Sequence, residues 1–184
     1  MLSFLKAAPP AIVLPPRPMS DFISPVSYLR VSLSRQELDL IETRRVLRTW
    51  PVSTAKNGPG ERMGSGCTPR GWHRIRAKIG GGMPLGTVFR GRRPTGELYS
   101  PELEARHPDR DWILTRILWL GGLEPGFNRY GEVDTTWRYI YIHGSPDREV
   151  TGAPASHGCV RMRSRDVAEL FERAEVGMRV LIET

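Results

Sequence analysis

Two short segments hold the residue types that covalent chemistry needs: His143-Gly144, and Ser156-His157-Gly158-Cys159-Val160-Arg161-Met162. A thiol of ordinary pKa (about 8.5) is only a few per cent thiolate at neutral pH, and thiolate is the nucleophilic form. An imidazole beside it can take the thiol proton and later return it to a leaving amine. His143 and Cys159 stand sixteen residues apart with Pro146, Gly152 and Pro154 between them, enough chain to fold back and bring the two together. Backbone N–H groups at Gly158 and Cys159 could face a developing oxyanion, and Gly144 and Gly158 permit tight turns and close approach. Arg161 would add positive potential that favours thiolate or holds a substrate carboxylate. On residue types alone two other readings stay open. His143 and Cys159 could be satisfied core residues, or His143, His157 and Cys159 could ligate zinc. The His-x-Cys spacing is poor for two ligands on one segment, and neither CxxC nor HExxH occurs.

The elements that must position these residues read mostly as strands. Leu29, Val31 and Leu33 alternate with Arg30, Ser32 and Ser34; Leu38 and Leu40 resume the pattern, and Val46–Ser53 runs into the turn cluster Asn57-Gly58-Pro59-Gly60. In Trp72–Ile79 the pattern sets His73, Ile75, Ala77 and Ile79 against Trp72, Arg74, Arg76 and Lys78, as in a half-buried strand with a basic outer face. Thr87–Arg90 and Ile113–Leu120 are further strands, and the polar Arg92–Arg110 between them, with three prolines, reads as a long excursion over the surface. Arg138–His143 is a strand with Tyr139, Tyr141 and His143 on one side and Ile140 and Ile142 on the other. One helix is predicted over Arg165–Glu175, N-capped by Ser164, with Val167, Leu170, Phe171 and Ala174 as its apolar stripe and Gly177 as its stop. A strand at Arg179–Ile182 follows. The fold class is therefore mostly β, with one late helix.

The composition bounds the function. The 184 residues are 39% hydrophobic, 8% aromatic and 26% charged, which excludes fibrous and wholly disordered classes and predicts one real core. No run approaches the roughly 20 apolar residues that span a bilayer, so stable membrane insertion is not expected. The net charge of +7 comes from 27 basic residues, of which only Lys6, Lys56 and Lys78 are lysines. The arginines are scattered rather than massed in a stripe, so a nucleic-acid partner is not expected. Residues 1–27 hold six prolines and no usable period, and read as a flexible Pro-rich leader to a domain over 28–184. The apolar stretch Ala7–Leu14 is broken by Pro9 and Pro10, and no small-x-small cleavage site follows. That favours a cytoplasmic protein, with the cell envelope as the alternative. Cys67 reads as a small buried residue; the sharper reading is an oxidative lock in which it pairs with Cys159.

The run Tyr139–Met162, YIYIHGSPDREVTGAPASHGCVRM, resembles the catalytic signature of the L,D-transpeptidase (YkuD-type) family. Ser53–Gly60, Thr68-Pro69 with Gly71, and Thr87–Arg93 followed by Pro94-Thr95-Gly96 are similar to the same family in the same order, so the likeness spans residues 28–184. It implies a mostly-β, sandwich or barrel-like catalytic domain with a helix after the Cys motif, and a cysteine acyl-transfer mechanism on peptidoglycan tetrapeptide stems without a cofactor or metal. By position, Cys159 matches the nucleophile and His143 the base, oriented by a backbone carbonyl near Gly144 or Ser145. Ser156 and His157 would shape the pocket, and Gly158 with Cys159 the oxyanion hole. Arg161, where some members carry Asn, and Tyr141 would meet substrate. The resemblance further implies inhibition by carbapenems. Transfer to an amine and hydrolysis to a tripeptide share their first half-reaction; a compact, unexported domain without a wall-binding module also suits an L,D-carboxypeptidase that trims soluble tetrapeptides.

Overall fold

The computed structural model describes residues 27–184, so the expected leader lies outside the described residues apart from Ser27. Ten strands hydrogen-bond into one sheet: β1 (Ser27–Ser32), β2 (Glu37–Glu42), β3 (Arg45–Pro51), β4 (Gly71–Ile79), β5 (Thr87–Arg90), β6 (Arg93–Leu98), β7 (Ile113–Gly122), β8 (Tyr141–Ser145), β9 (Val160–Arg163) and β10 (Arg179–Glu183). Two helices, α1 (Pro101–Ala105) and α2 (Ser164–Arg173), complete it. The strand order is β3-β2-β1-β10-β4-β7-β5-β6, with β8 joining β7 and β9 joining β8. The mostly-β expectation with one principal late helix is met, in a sheet that curls rather than lying flat. Among the described residues no helix is long and apolar enough to cross a membrane.

Period-two alternation explains the core. Leu29, Val31 and Leu33 turn inward from β1 together with Leu38 and Leu40 of β2, Val180 and Ile182 of β10, and the α2 stripe Val167, Leu170, Phe171 and Ala174. Strand β7 is the pivot because it pairs with β4, β5 and β8 and divides its side chains between two environments. Leu118 and Leu120 enter the α2-side core, whereas Ile117 and Trp119 join Phe89, Tyr141 and Cys159 on the other face.

Four local expectations are corrected. The β4–β7 register shifts between Ile75 and Ala77, so Ile75 lies opposite Leu120 in the main core while Ile79 lies opposite Ile117 on the other face. A bulge inserts one residue and reverses the alternation beyond it, which a strict two-residue period cannot anticipate. The Arg92–Arg110 excursion carries two elements not expected there, β6 and α1, and the Ser100 hydroxyl caps α1 by accepting from the Leu103 amide at 3.2 Å, with Pro101 in the first turn. Tyr99 and Leu103 of that segment pack on Val88, Trp112 and Leu114. Arg138 and Tyr139 lie in a turn, and β8 starts only at Tyr141. Finally, Ser164 lies within α2 rather than capping it, because its hydroxyl accepts from the buried Thr115 at 2.8 Å, and the helix ends at Ala174 in extended backbone before Gly177 is reached.

Leu118 is fully buried between β4, β8 and α2. Leu118→Ala is expected to cost about 2–5 kcal/mol through lost burial and a residual cavity. Leu47→Ala, at a position 53% exposed on β3, is expected to stay within about 0.5 kcal/mol. Denaturant midpoints of the two variants check both.

Candidate active site

The parallel pairing of β8 with β9 sets the site. Ile142 lies opposite Val160, His143 opposite Arg161 and Gly144 opposite Met162. Val160 and Met162 enter the main core, so Arg161, and Cys159 one step before the strand, take the opposite face. Cys159 thereby comes level with Tyr141, whose amide donates to its Sγ at 3.4 Å. His143, Tyr141, Cys159 and Arg161 share one side of the strand pair.

Gly144 is where the strands need a residue without a Cβ. A Cβ there would meet the Leu114 carbonyl oxygen at 2.5 Å and a Val167 methyl at 3.1 Å. Its own carbonyl accepts from His143 Nδ1 at 2.8 Å, which fixes the ring and leaves Nε2 as the nitrogen free for proton transfer. Gly158 adopts a φ of +140°, open to glycine, and a Cβ there would meet Ile140 Cδ1 at 3.1 Å and the Cys67 carbonyl at 3.3 Å. The Ser156 hydroxyl donates to the Cys159 carbonyl at 2.6 Å and accepts from the Gly158 amide at 3.2 Å, stapling the motif turn from inside. That bond occupies the Gly158 N–H, one of the two expected oxyanion donors.

Electrostatically the pair is neutral at rest. His143 is 1% exposed, and burial lowers its pKa, opposed by the hydrogen bond to Gly144. Burial also pushes the Cys159 thiol up to about 12, opposed by the Tyr141 amide. Cys159 makes no hydrogen bond to His143 among the described residues; the thiol donates instead to the Tyr139 carbonyl at 3.5 Å. The sixteen-residue span therefore brings both residues to one face, with the thiol turned to Tyr139 rather than to the imidazole.

The other expected residues divide. His157 is exposed and lines a 400 Å³ cleft with Met63, Trp137, Arg138 and Tyr139. Arg161 is 7% exposed and paired with Asp111 at 2.6 Å and Glu149 at 3.1 Å, so its charge is spent inside the fold and it presents no free face to substrate. Cys67 is half-buried and free, its thiol turned to the Asn57 carbonyl at 3.4 Å; Cys159 is free as well.

Three neighbours were not singled out from the sequence. Arg92, at the tip of the β5–β6 hairpin, donates to the Tyr141 hydroxyl at 2.8 Å and lies over the rings of Trp119 and Tyr139 at 4.5 and 5.0 Å. Trp119 stands edge-on to Tyr141, ring centroids 6.3 Å apart. Arg138 donates to the carbonyls of Gly60, Glu61 and Cys67 at 3.0, 2.7 and 2.5 Å, tying that loop to the site. Only the β-hairpin turn Gly91-Arg92, both residues at positive φ, left a local sequence signal.

The L,D-transpeptidase catalytic domain (YkuD) model matches residues 26–182. The chain belongs to this family. Curated relatives include the putative L,D-transpeptidase YqjB of Bacillus subtilis, 41% identical over 63 residues (34% of either chain), and the probable L,D-transpeptidase YbiS of Escherichia coli K12, 46% identical over 43 residues, 23% of this chain and 14% of YbiS. Among solved structures, the L,D-transpeptidase LdtMt1 bound to imipenem aligns with a TM-score of 0.52 at 21% identity, over 86% of this chain and 59% of that one. The L,D-transpeptidase of Xylanimonas cellulosilytica aligns at 0.51 and 22% identity, over 91% and 62%. These structural matches establish a shared fold, and the chain spans about a third of YqjB and about three-fifths of the solved chains.

A neutral thiol predicts a distinctive pH profile in this family member. Alkylation of Cys159 by iodoacetamide should be slow at pH 6 and keep rising beyond pH 9, because burial raises the thiol and lowers the imidazole. A resting thiolate–imidazolium pair would instead give a plateau across neutral pH, readable by mass spectrometry of the Cys159 peptide.

Proposed function

We propose that the chain is a cysteine acyltransferase that cleaves the bond before the terminal D-Ala of peptidoglycan tetrapeptide stems and passes the acyl group to an amine. The observation that carries this reading is the shared face of β8 and β9, which sets Cys159 beside Tyr141 while the Gly144 carbonyl holds His143 by Nδ1. Membership of the family supports the reaction class.

As the thiol leaves the Tyr139 carbonyl, His143 Nε2 takes its proton and the sulfur attacks the stem carbonyl. An S–C bond forms, and the oxygen gains charge that the Cys159 amide can meet; one such donor is worth about 10²–10³ in rate. The C–N bond then breaks, the departing D-Ala amine takes the proton from His143, and a thioester remains. Deprotonated by the same imidazole, an acceptor amine attacks the thioester and the thiol reforms. Keeping both groups neutral until substrate arrives separates no charge in a poorly solvated site. Water in place of the amine yields the tripeptide, the L,D-carboxypeptidase outcome.

Incubation with a carbapenem should give one covalent adduct by intact mass, absent from Cys159→Ala. With tetrapeptide and an acceptor amine, a cross-linked or exchanged product supports transpeptidation; tripeptide alone assigns the carboxypeptidase reaction. His143→Ala should lower turnover by about 10²-fold or more. A larger loss in His157→Ala than in His143→Ala would assign the base to His157.

A further inference from the structure

Beside the thiol face, across Trp119, lies a 250 Å³ cleft lined by Arg74, Arg76, Arg129, Trp119, Tyr130 and Trp137. Two of its three arginines lie on ring faces with no acid partner among the described residues. Eight other arginines of the described residues sit in ion pairs with acids. Arg76 instead lies over the Trp119 ring at 5.2 Å and Arg129 over the Tyr130 ring at 4.7 Å. A guanidinium placed on a ring face is oriented without using its N–H donors, which stay available in the plane for a forked bond to carboxylate. The one carboxylate in the lining, Asp134, is engaged by the backbone amides of Tyr130, Thr136 and Trp137 at 2.7, 2.9 and 3.3 Å.

The wall is pinned from below. Asn128 is fully buried and donates to the carbonyls of Arg70 and Trp72 at 2.9 and 3.1 Å, and the His73 ring meets the Thr135 hydroxyl at 3.1 Å. The segment can therefore hold Tyr130 and Trp137 at 57% and 66% exposure, a degree of aromatic exposure that commonly marks a binding surface. Trp119 is shared: its ring carries Arg76 at 5.2 Å and Arg92 at 4.5 Å, and Arg92 in turn bonds Tyr141 beside Cys159.

We infer that this arginine–aromatic cleft is a peptide-carboxylate subsite, which takes a carboxylate of a stem peptide whose scissile bond lies at Cys159. The inference deepens the proposed function and rests on it for the identity of the peptide. Calorimetric titration of the full-chain Cys159→Ala protein with free-acid tetrapeptide, and with its fully amidated counterpart, tests it. The free acid should bind about tenfold tighter or more, as expected for charge-assisted hydrogen bonds. Arg76→Gln with Arg129→Gln should abolish that preference, while Arg45→Gln, an exposed arginine of β3, should retain it. Equal binding of the two peptides, a preference that survives the double substitution, a preference that falls equally in Arg45→Gln, or displacement by inorganic phosphate at matched concentration would each overturn the subsite. The two readings fail separately. Wild-type turnover with an unchanged preference in the double variant removes the subsite alone. A preference lost in the double variant, without turnover or carbapenem adduct in the wild type, leaves a peptide-binding cleft and removes the proposed reaction.

Discussion

The parallel pairing of β8 and β9 is the constraint on which the rest of this domain depends. Parallel neighbours cannot be joined by a tight hairpin, so a fourteen-residue connection leaves Ser145 and returns at Val160. Its cost in chain entropy grows only slowly with length. The return delivers Cys159 level with Tyr141 at the mouth of the strand pair, while Val160 and Met162 are drawn into the core. Sheet alternation then does the sorting, for a one-residue slip of β9 would bury Cys159 and Arg161 in apolar surroundings and expose Val160 and Met162. Register and hydrophobic burial thus enforce the placement of the chemistry.

That arrangement explains why so much polarity is tolerated around the site. His143, Ser156 and Arg161 are all buried, and each finds partners within the fold: the Gly144 carbonyl for His143 Nδ1, the motif turn for Ser156, and Asp111 with Glu149 for the terminal nitrogens of Arg161, whose Nε has no partner among the described residues. Unpaired, any of them would carry a desolvation penalty of about 1–3 kcal/mol or more. Arg161 also bridges to Ser53 through the backbone, its amide donating to the Ser53 carbonyl at 2.9 Å. A residue that potential alone would assign to substrate is therefore a tie between β9, the chain after β3 and the 146–159 connection.

Much of this was legible in the sequence, and the exceptions have physical causes. Alternation in Leu29–Leu33 and the α2 stripe are local patterns, and each is found where the pattern put it, while His143 and Cys159 come to one side of the β8–β9 pair without a hydrogen bond between them. Ile79 was misplaced because the bulge after Ile75 depends on a partner strand forty residues away. Tyr139 read as a strand residue by its alternation with Tyr141, yet its φ of 55° breaks the strand, and its carbonyl turns to the Cys159 thiol. Ser164 had the right chemistry for a cap, but Thr115 engages its hydroxyl first. Arg92 lies in the family-like stretch Thr87–Arg93 and Trp119 in a plain strand pattern, and neither names a role there; only the curling of β5 and β7 toward β8 makes them neighbours of the thiol.

The scattered arginines follow the same logic. A net charge of +7 invites a search for one basic stripe, yet the arginines are scattered along the sequence. What folding does is sort the guanidiniums by partner. Some are neutralised by acids, as Arg148 is by Glu104 and Arg161 by Asp111. Arg138 is spent on three backbone carbonyls. Arg76, Arg92 and Arg129 are laid on aromatic rings, and these lie together around Trp119 and the segment from Arg129 to Tyr139. A cation stacked on a ring keeps its orientation and its donors, whereas one paired with a carboxylate keeps neither free for a ligand. Stacking alone does not mark out this edge, since Arg48, Arg70, Arg110 and Arg116 also lie over rings elsewhere; what distinguishes Arg76 and Arg129 is a ring beneath and neither an acid nor a carbonyl partner for the guanidinium among the described residues.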